Sequence, residues 1–395
     1  MVNYDKIEKR IIEHRRILHE KAEVGFKLEE TKAYVKSVLS SLDIVHEDCG
    51  RCGVVATLGM GVGRCILLRA DMDALPIKEE NCLEFSSKNG NMHACGHDMH
   101  TAMLLGAAEI LSARCDELSG SVKLMFQPAE ETLEGALDMI ISGVLERPRV
   151  DAGVMIHVLP SENLPIGTVI LPKDGVGAPS ADFFEIVVKG KAAHGASPAS
   201  GIDAITVGSR IVLSLEEIIA KELLFSEKAV LTVGSFSAGN SANTIAESAL
   251  ILGTLRTFDE GLRAMIKARV QEIVTNTAKA FRTEAEVRYT SGAPVLKNSG
   301  RLSEFAKRVL SEKIGENSVC TSDDLDEEES IGGSEDFAYV AERVEGLMIG
   351  IVGTNDMRYG LHNPKSSFDE RCLLEGSRVF AELATAFLNE TGLPS

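Results

Sequence analysis

Residues 93–101 read His-Ala-Cys-Gly-His-Asp-Met-His-Thr, and the apolar run Ala102–Leu111 follows at once. Three histidines, a cysteine and an aspartate fall within eight residues, and Gly96 lets the backbone turn tightly between two of them. The run Met99–Leu111 predicts a buried helix with Asp98 as its N-cap. A thiolate at Cys95 would sit just ahead of that helix, where the dipole and the unbonded N–H groups favour negative charge. Imidazole and thiolate together are good ligands for zinc and other borderline transition metals. One histidine in a loop leading into a helix would carry little weight; this density predicts a metal site.

The length of 395 residues suits two or three domains with ample chain to bury a core. Apolar content of 44% and charged content of 25% are those of a soluble globular protein. A formal charge of −18 argues against nucleic acid or an anionic membrane surface as a partner, since both require positive charge to displace counterions. The N-terminal MVNYDKIEKR has no apolar segment, so no signal peptide is expected, and no window reaches the apolar length of a membrane span. The eight cysteines, at 49, 52, 65, 82, 95, 115, 320 and 372, are scattered rather than framed as a disulfide scaffold. Reduced thiols and a cytoplasmic location follow as expectations. Cys49-Gly-Arg-Cys52 is a lone CxxC, read as ordinary strand-edge cysteines.

Helical periodicity marks Tyr4–Leu18 and Glu29–Leu42. Gly53–Leu58 and Cys65–Ala70 read as a hairpin or adjacent strands, Ser121–Phe126 and Ala152–Val158 as buried strands, and Ala136–Ser142 as a helix. Strands alternating with helices imply an α/β sheet covered on both faces. Composition changes near Gly175. Strand Phe183–Lys189, helix Ile202–Ile219, strands Val230–Phe236 and Glu247–Arg256, helix Leu262–Phe281 and strand Ala285–Thr290 give β-α-β-β-α-β, the order of a ferredoxin-like sandwich that could stand as an inserted domain. Leu302–Ile314, Leu347–Gly353 and Leu373–Leu388 resume the helix–strand alternation, while the acidic run Asp323–Glu329 reads as a solvated loop.

Several polar groups fall where α/β sheets place their sites, at the C-terminal ends of strands. Gln127-Pro128-Ala129-Glu130-Glu131 follows Phe126; adjacent glutamates point different ways, so one can ligate a metal while the other faces water. Asp71-Met72-Asp73 follows Cys65–Arg69 with both carboxylates on one side, able to orient a ligand histidine or to ligate directly. His157 ends a third strand and is a ligand candidate. Gly360-Leu361-His362-Asn363-Pro364 is uninformative alone.

The motifs MHACGHDMHTAMLLGAA, FQPAEE, IHVLP, GKAAHGASP, NTIAESA, GTLRTF, GGSEDFAYVAE and LHNPKSSFDE occur in an order that resembles the amidohydrolase branch of the aminoacylase/carboxypeptidase metallopeptidase superfamily. That branch includes hippurate hydrolases, auxin-conjugate hydrolases and N-acetyl-diaminopimelate deacetylases. The resemblance spans about Arg16 to Phe387. It implies an α/β catalytic domain of the di-metal peptidase type with a mostly parallel sheet (residues 1–180 and 292–395) and an inserted ferredoxin-like lid and dimerisation domain (residues 181–291). It further implies that Cys95, His97, Glu131, His157 and His362 hold one or two divalent ions (zinc, manganese, cobalt or nickel), with Glu130 as general base and Asp71 and Asp73 supporting the ligands. In the lid, His194 matches a histidine that reaches a catalytic centre, in dimers often the neighbouring subunit's, and Asn243 and Arg256 match residues that hold the substrate's carbonyl and carboxylate. The chain departs from the branch at Ala22, Ala199 and Ala204, which bears on acyl-group preference rather than on metal chemistry.

The implied reaction is cleavage of the amide bond of an N-acyl amino acid by metal-activated water. Glu130 moves the proton, His194 stabilises the oxyanion, and Arg256 pairs with the α-carboxylate. The expected partners are a small N-acyl amino acid or short peptide and a second copy of the chain. A dipeptidase or carboxypeptidase on the same site, or a binding protein of the same fold without catalysis, are the alternatives.

Overall fold

Runs such as CILLRAD and AGVMIHVLP are apolar on both faces, the pattern of strands covered from two sides, and they lie side by side in parallel at the centre of an eight-stranded sheet. The computed structural model describes residues 2–59, 63–322 and 333–390. The chain divides into two compact units: the described residues of Met1–Gly177, Leu296–Gly332 and Asp336–Ser395 form one, and Ala178–Val295 with Gly333–Glu335 form the other.

The first unit runs α1 (Tyr4–Lys21), α2 (Glu29–Ser41), β1 (His46–Cys49), β2 (Gly53–Gly59), β3 (Cys65–Asp71), α3 (His97–Ser112), β4 (Ser121–Gln127), α4 (Gly135–Ile141), β5 (Ala152–Pro160), β6 (Val169–Leu171) and β7 (Gly175–Ala178). The inserted unit carries β8 (Ser180–Lys189), α5 (Ala204–Glu217), β9 (Ala229–Ala238), β10 (Ser248–Thr257), α6 (Glu260–Ala280) and β11 (Ala285–Ala293). The first unit then resumes with β12 (Leu296–Asn298), α7 (Gly300–Ile314), β13 (Val319–Thr321), α8 (Ala338–Ala341), β14 (Glu345–Thr354) and α9 (Leu373–Asn389). The acidic run 323–329 lies outside the described residues.

The large sheet has the order β1-β2-β4-β3-β5-β14-β6-β13, with β4, β3, β5 and β14 parallel, β1 and β2 antiparallel to their neighbours, and β6 antiparallel to β14 but parallel to β13. From β3 the chain passes to β4 on one side and then back to β5 on the other, so the strand order reverses at β3. In open α/β sheets the crevice beyond such a reversal is where ligands bind. The inserted unit has the antiparallel order β11-β8-β10-β9, and its helices cover a core that includes Ile186, Val207, Ile251 and Ile266. Asp203 and Asp259 cap α5 and α6 by accepting from the Ile205 and Leu262 N–H groups.

Two details differ from the sequence expectations. Gly53–Leu58 and Cys65–Ala70 are not neighbours, because β4 lies between β2 and β3; the hairpin is instead β1–β2, closed at Cys49↔Gly53. Their apolar runs satisfy a buried strand in any position, so composition cannot order them. Asp98 does not cap α3: the helix begins at His97 after Gly96, whose φ of 86° is left-handed, and no side chain caps it. Asp98 instead turns inward, accepting from Arg15 Nε at 2.9 Å and bonding His19 Nδ1 at 2.9 Å, which ties α1 to the first turn of α3.

This tie predicts a pH dependence. Burial alone would lower the pKa of His19, but the Asp98 and Glu79 carboxylates raise it to about 8. A folded-state pKa above the unfolded value gives stability that is complete below pH ~6.5 and lost as pH rises through about 8. Urea titrations should therefore show a loss of about 1–2 kcal/mol between pH 6.5 and 9, and His19→Gln should flatten that slope.

Candidate metal centre

Beyond the reversal point, β3, β4 and β5 deliver polar side chains to one end of the sheet, and the loop ahead of α3 faces them. Asp71, the last residue of β3, is fully buried. Its Oδ2 accepts from Arg69 Nη1 at 2.7 Å and its Oδ1 bonds His100 Nδ1 at 2.7 Å. Both oxygens are thus committed. Although burial opposes ionisation, the nearby His97, His100 and Arg69 hold its pKa well below the usual carboxylate range.

Asp73 is also buried, and its two oxygens accept the backbone N–H groups of Glu130 at 3.0 Å and Glu131 at 3.2 Å. Its carbonyl bonds His97 Nδ1 at 2.9 Å. One residue thereby fixes both the loop after β4 and the ring at the start of α3. With Nδ1 bonded to a carbonyl, His97 turns Nε2 toward the cluster; burial disfavours a second proton on the ring, but Asp71 and Cys95 outweigh it and raise the pKa well above the usual value. That atom lies 3.9 Å from carboxylate oxygens of both Glu130 and Glu131.

On β5, His157 bonds the Val158 carbonyl through Nδ1 at 2.8 Å, and its Nε2 lies 3.7 Å from Cys95 Sγ. Gly96 is required here, since a Cβ would fall 2.4 Å from Val158 Cγ2. His362 has a left-handed φ of 65° and is held by its N–H bond to the Ala94 carbonyl at 2.9 Å. Its Nε2 lies 3.4 Å from Glu131 Oε1.

The donor atoms therefore overlap as three groups, Cys95/His97/His157, Cys95/Glu131/His362 and His97/Glu130/Glu131, each within 4.8 Å. His97 Nε2 and Glu131 Oε1 are buried without a hydrogen-bond partner among the described residues. Burial pushes the Cys95 thiol up to about 12 and the His157 imidazole down to about 3.

His194, Asn243 and Arg256 belong to the inserted unit. His194 bridges to Thr244, next to Asn243, and its Nδ1 accepts from the Ala196 N–H at 3.1 Å. Asn243 Oδ1 accepts from Ser241 Oγ at 2.6 Å, and Arg256 Nη1 donates to Ser334 Oγ at 2.8 Å.

Arg69, which no sequence motif marks as functional, is buried in β3 and donates to Gln127 Oε1, Asp71 and Asp336 Oδ1. Its signal was visible as the single charge inside the apolar strand CILLRA. His100 belongs to the histidine cluster of residues 93–100, and the sequence alone assigns it no role.

Residues 67–386 match the model of peptidase family M20/M25/M40, and the chain belongs to that family. Among particular relatives, it is 36% identical over 393 residues to an N-acetyl-L-cysteine deacetylase of Bacillus subtilis, covering 98% of this chain and 90% of that protein. It is 40% identical over 295 residues to an N-acyl-L-amino acid amidohydrolase of Geobacillus stearothermophilus, with 73% and 78% covered. A dinuclear metal-binding peptidase of the M20 family from Bacillus subtilis has a similar crystal structure, with a TM-score of 0.78, 33% identity, and 97% and 99% covered.

The buried network predicts a stability effect. Arg69→Leu leaves the Asp71 and Asp336 carboxylates in the core without their shared cation, and should cost about 3–5 kcal/mol in urea unfolding of the metal-free protein.

Proposed function

We propose that the protein is a metal-dependent amidohydrolase that cleaves the amide bond of N-acyl amino acids and releases the free amino acid. The observation that carries this reading is the convergence of Cys95, His97, Glu131, His157 and His362 from separate chain segments beside the Glu130 carboxylate.

These five residues suit one or two divalent ions, and zinc, manganese, cobalt and nickel all fit the mixture of thiolate, imidazole and carboxylate. The orphaned His97 Nε2 and Glu131 Oε1 favour such a role, because a buried polar atom left unbonded costs about 1–3 kcal/mol. A cation would also take the place of the proton that burial keeps on Cys95. Bound there, a divalent cation supplies Lewis acidity, lowering the pKa of water and polarising a carbonyl oxygen.

The remaining work falls to the protein's own groups. Glu130 takes the proton from the attacking water and returns it to the leaving amine nitrogen. His194, whose Nδ1 is occupied as an acceptor, has Nε2–H available to donate to the oxyanion. Arg256 forks the α-carboxylate and Asn243 donates to the acyl carbonyl, which gives preference for an N-acyl amino acid. Asp71 and Asp73, with all four carboxylate oxygens already bonded, orient the ligands rather than join them.

The inserted unit is the lid and the surface through which two copies pair, a role supported by the exposed Leu213 (67%) and Val230 (55%). A cytoplasmic location suits eight cysteines that are all free thiols. No described helix is long and apolar enough to cross a membrane.

Release of free amino acid from N-acetyl and N-benzoyl amino acids, compared with dipeptides, tests the substrate class, and dipeptide turnover alone would refute it. Glu130→Gln should keep bound metal but lose about 10²–10⁴-fold in turnover, whereas Cys95→Ser should lose metal on dialysis. A Glu130→Gln variant with normal turnover would remove that residue as the base.

A further inference from the structure

We propose that His100 is a positioning residue for the metal centre: it is not a ligand, but clamps the backbone of Val158 and thereby sets the ring of His157. The proposal rests on the reading of His157 as a metal ligand.

His100 is one of three residues, with Asp71 and His97, whose donor atoms lie close enough to hold an ion. Its bonding argues for a different role. The Val158 N–H donates to His100 Nε2 at 2.9 Å. A backbone amide can only donate, so Nε2 is the acceptor and Nδ1 carries the proton, donated to Asp71 Oδ1 at 2.7 Å. Both ring nitrogens are then spent, and a cation at Nε2 would orphan a buried amide.

The sheet explains why that amide needs a side chain. β3 pairs with β5 only as far as Arg69↔Met155, and β3 ends at Asp71. The last residues of β5 therefore run past their neighbour on that side, and His100, one turn into α3, supplies the missing acceptor. His157 grips the same residue from the other end, bonding the Val158 carbonyl through Nδ1 at 2.8 Å. The two rings lie 4.6 Å apart between centroids. Val158 is thus held at both its N–H and its C=O, and the direction of His157 Nε2, 3.7 Å from Cys95 Sγ, follows from that grip. Arg69 closes the chain by donating to Asp71 Oδ2 at 2.7 Å, so the series Arg69–Asp71–His100–Val158–His157 runs from the core of β3 to the metal cluster.

The two ring nitrogens can be mimicked separately. Asn at position 100 can reach Asp71 but not the Val158 amide, whereas Gln places an acceptor near the Nε2 position. Cobalt titration of the metal-free full chain, read by chelator competition and by the cobalt–thiolate absorption of Cys95, should give a 10–100-fold weaker site in His100→Asn and recovery to within a few-fold in His100→Gln. Equal affinity and an unchanged spectrum in His100→Asn would overturn the proposal, as would a Gln variant no better than Asn. Nitrogen NMR of histidine-labelled unsubstituted protein supplies a second test that needs no variant. On zinc loading His157 Nε2 should shift while His100 stays the Nδ1–H tautomer; a shift at His100 Nε2 would make it a ligand and overturn the proposal. Failure of the unsubstituted protein to bind cobalt or zinc at all would instead refute the metal site itself, and this proposal with it.

Discussion

The buried carboxylate of Asp73 is the constraint on which the rest of the centre depends. It accepts two consecutive backbone N–H groups, those of Glu130 and Glu131, while its own carbonyl holds His97. Bonds to a charged acceptor are the stronger kind, and here they replace side-chain freedom with a fixed loop. Two glutamates adjacent in sequence are made to present carboxylates on the same imidazole, at 3.9 Å each. Burial raises the pKa of Asp73, and His97 beside it pulls in the opposite direction.

The second constraint is topological. Because the chain leaves β3 on one side and returns on the other, the ends of β3, β4 and β5 open onto one crevice. Asp71, the Glu130–Glu131 pair and His157 arrive there from different strands, and the loop carrying Cys95 and His97 closes over them. His362 joins from far along the chain through a single backbone bond to Ala94. Sequence distance is bridged by strand order, not by any local motif.

Much of this was legible in the chain. The β-α-β-β-α-β order and the buried α3 follow from periodicity, and the density of ligand types in residues 93–100 pointed to a cation before any geometry was known. What was not legible has physical causes. β2 and β3 are equally apolar, so their composition could not reveal that β4 inserts between them. Asp98 has the chemistry of an N-cap, and only the third dimension places Arg15 and His19 beside it. His362 sits in a loop whose own residues carry no periodic signal, and it was reached through family resemblance alone. His100 belongs to the most conspicuous segment of the chain, yet its partner is a backbone amide, which no side-chain pattern can announce.

The inserted unit begins and ends on neighbouring strands. β8 and β11 are paired antiparallel, with Ala181 opposite Ala293, so its two ends are held one strand spacing apart, about 5 Å. To the host sheet, more than a hundred residues are therefore equivalent to a tight turn, because the closure entropy is met inside the insert and not by the host. Such a cassette can be lengthened, traded or reshaped over evolutionary time without disturbing the order of the strands that build the centre. The inserted unit is free to diversify while the strands that carry the ligand-type side chains stay fixed.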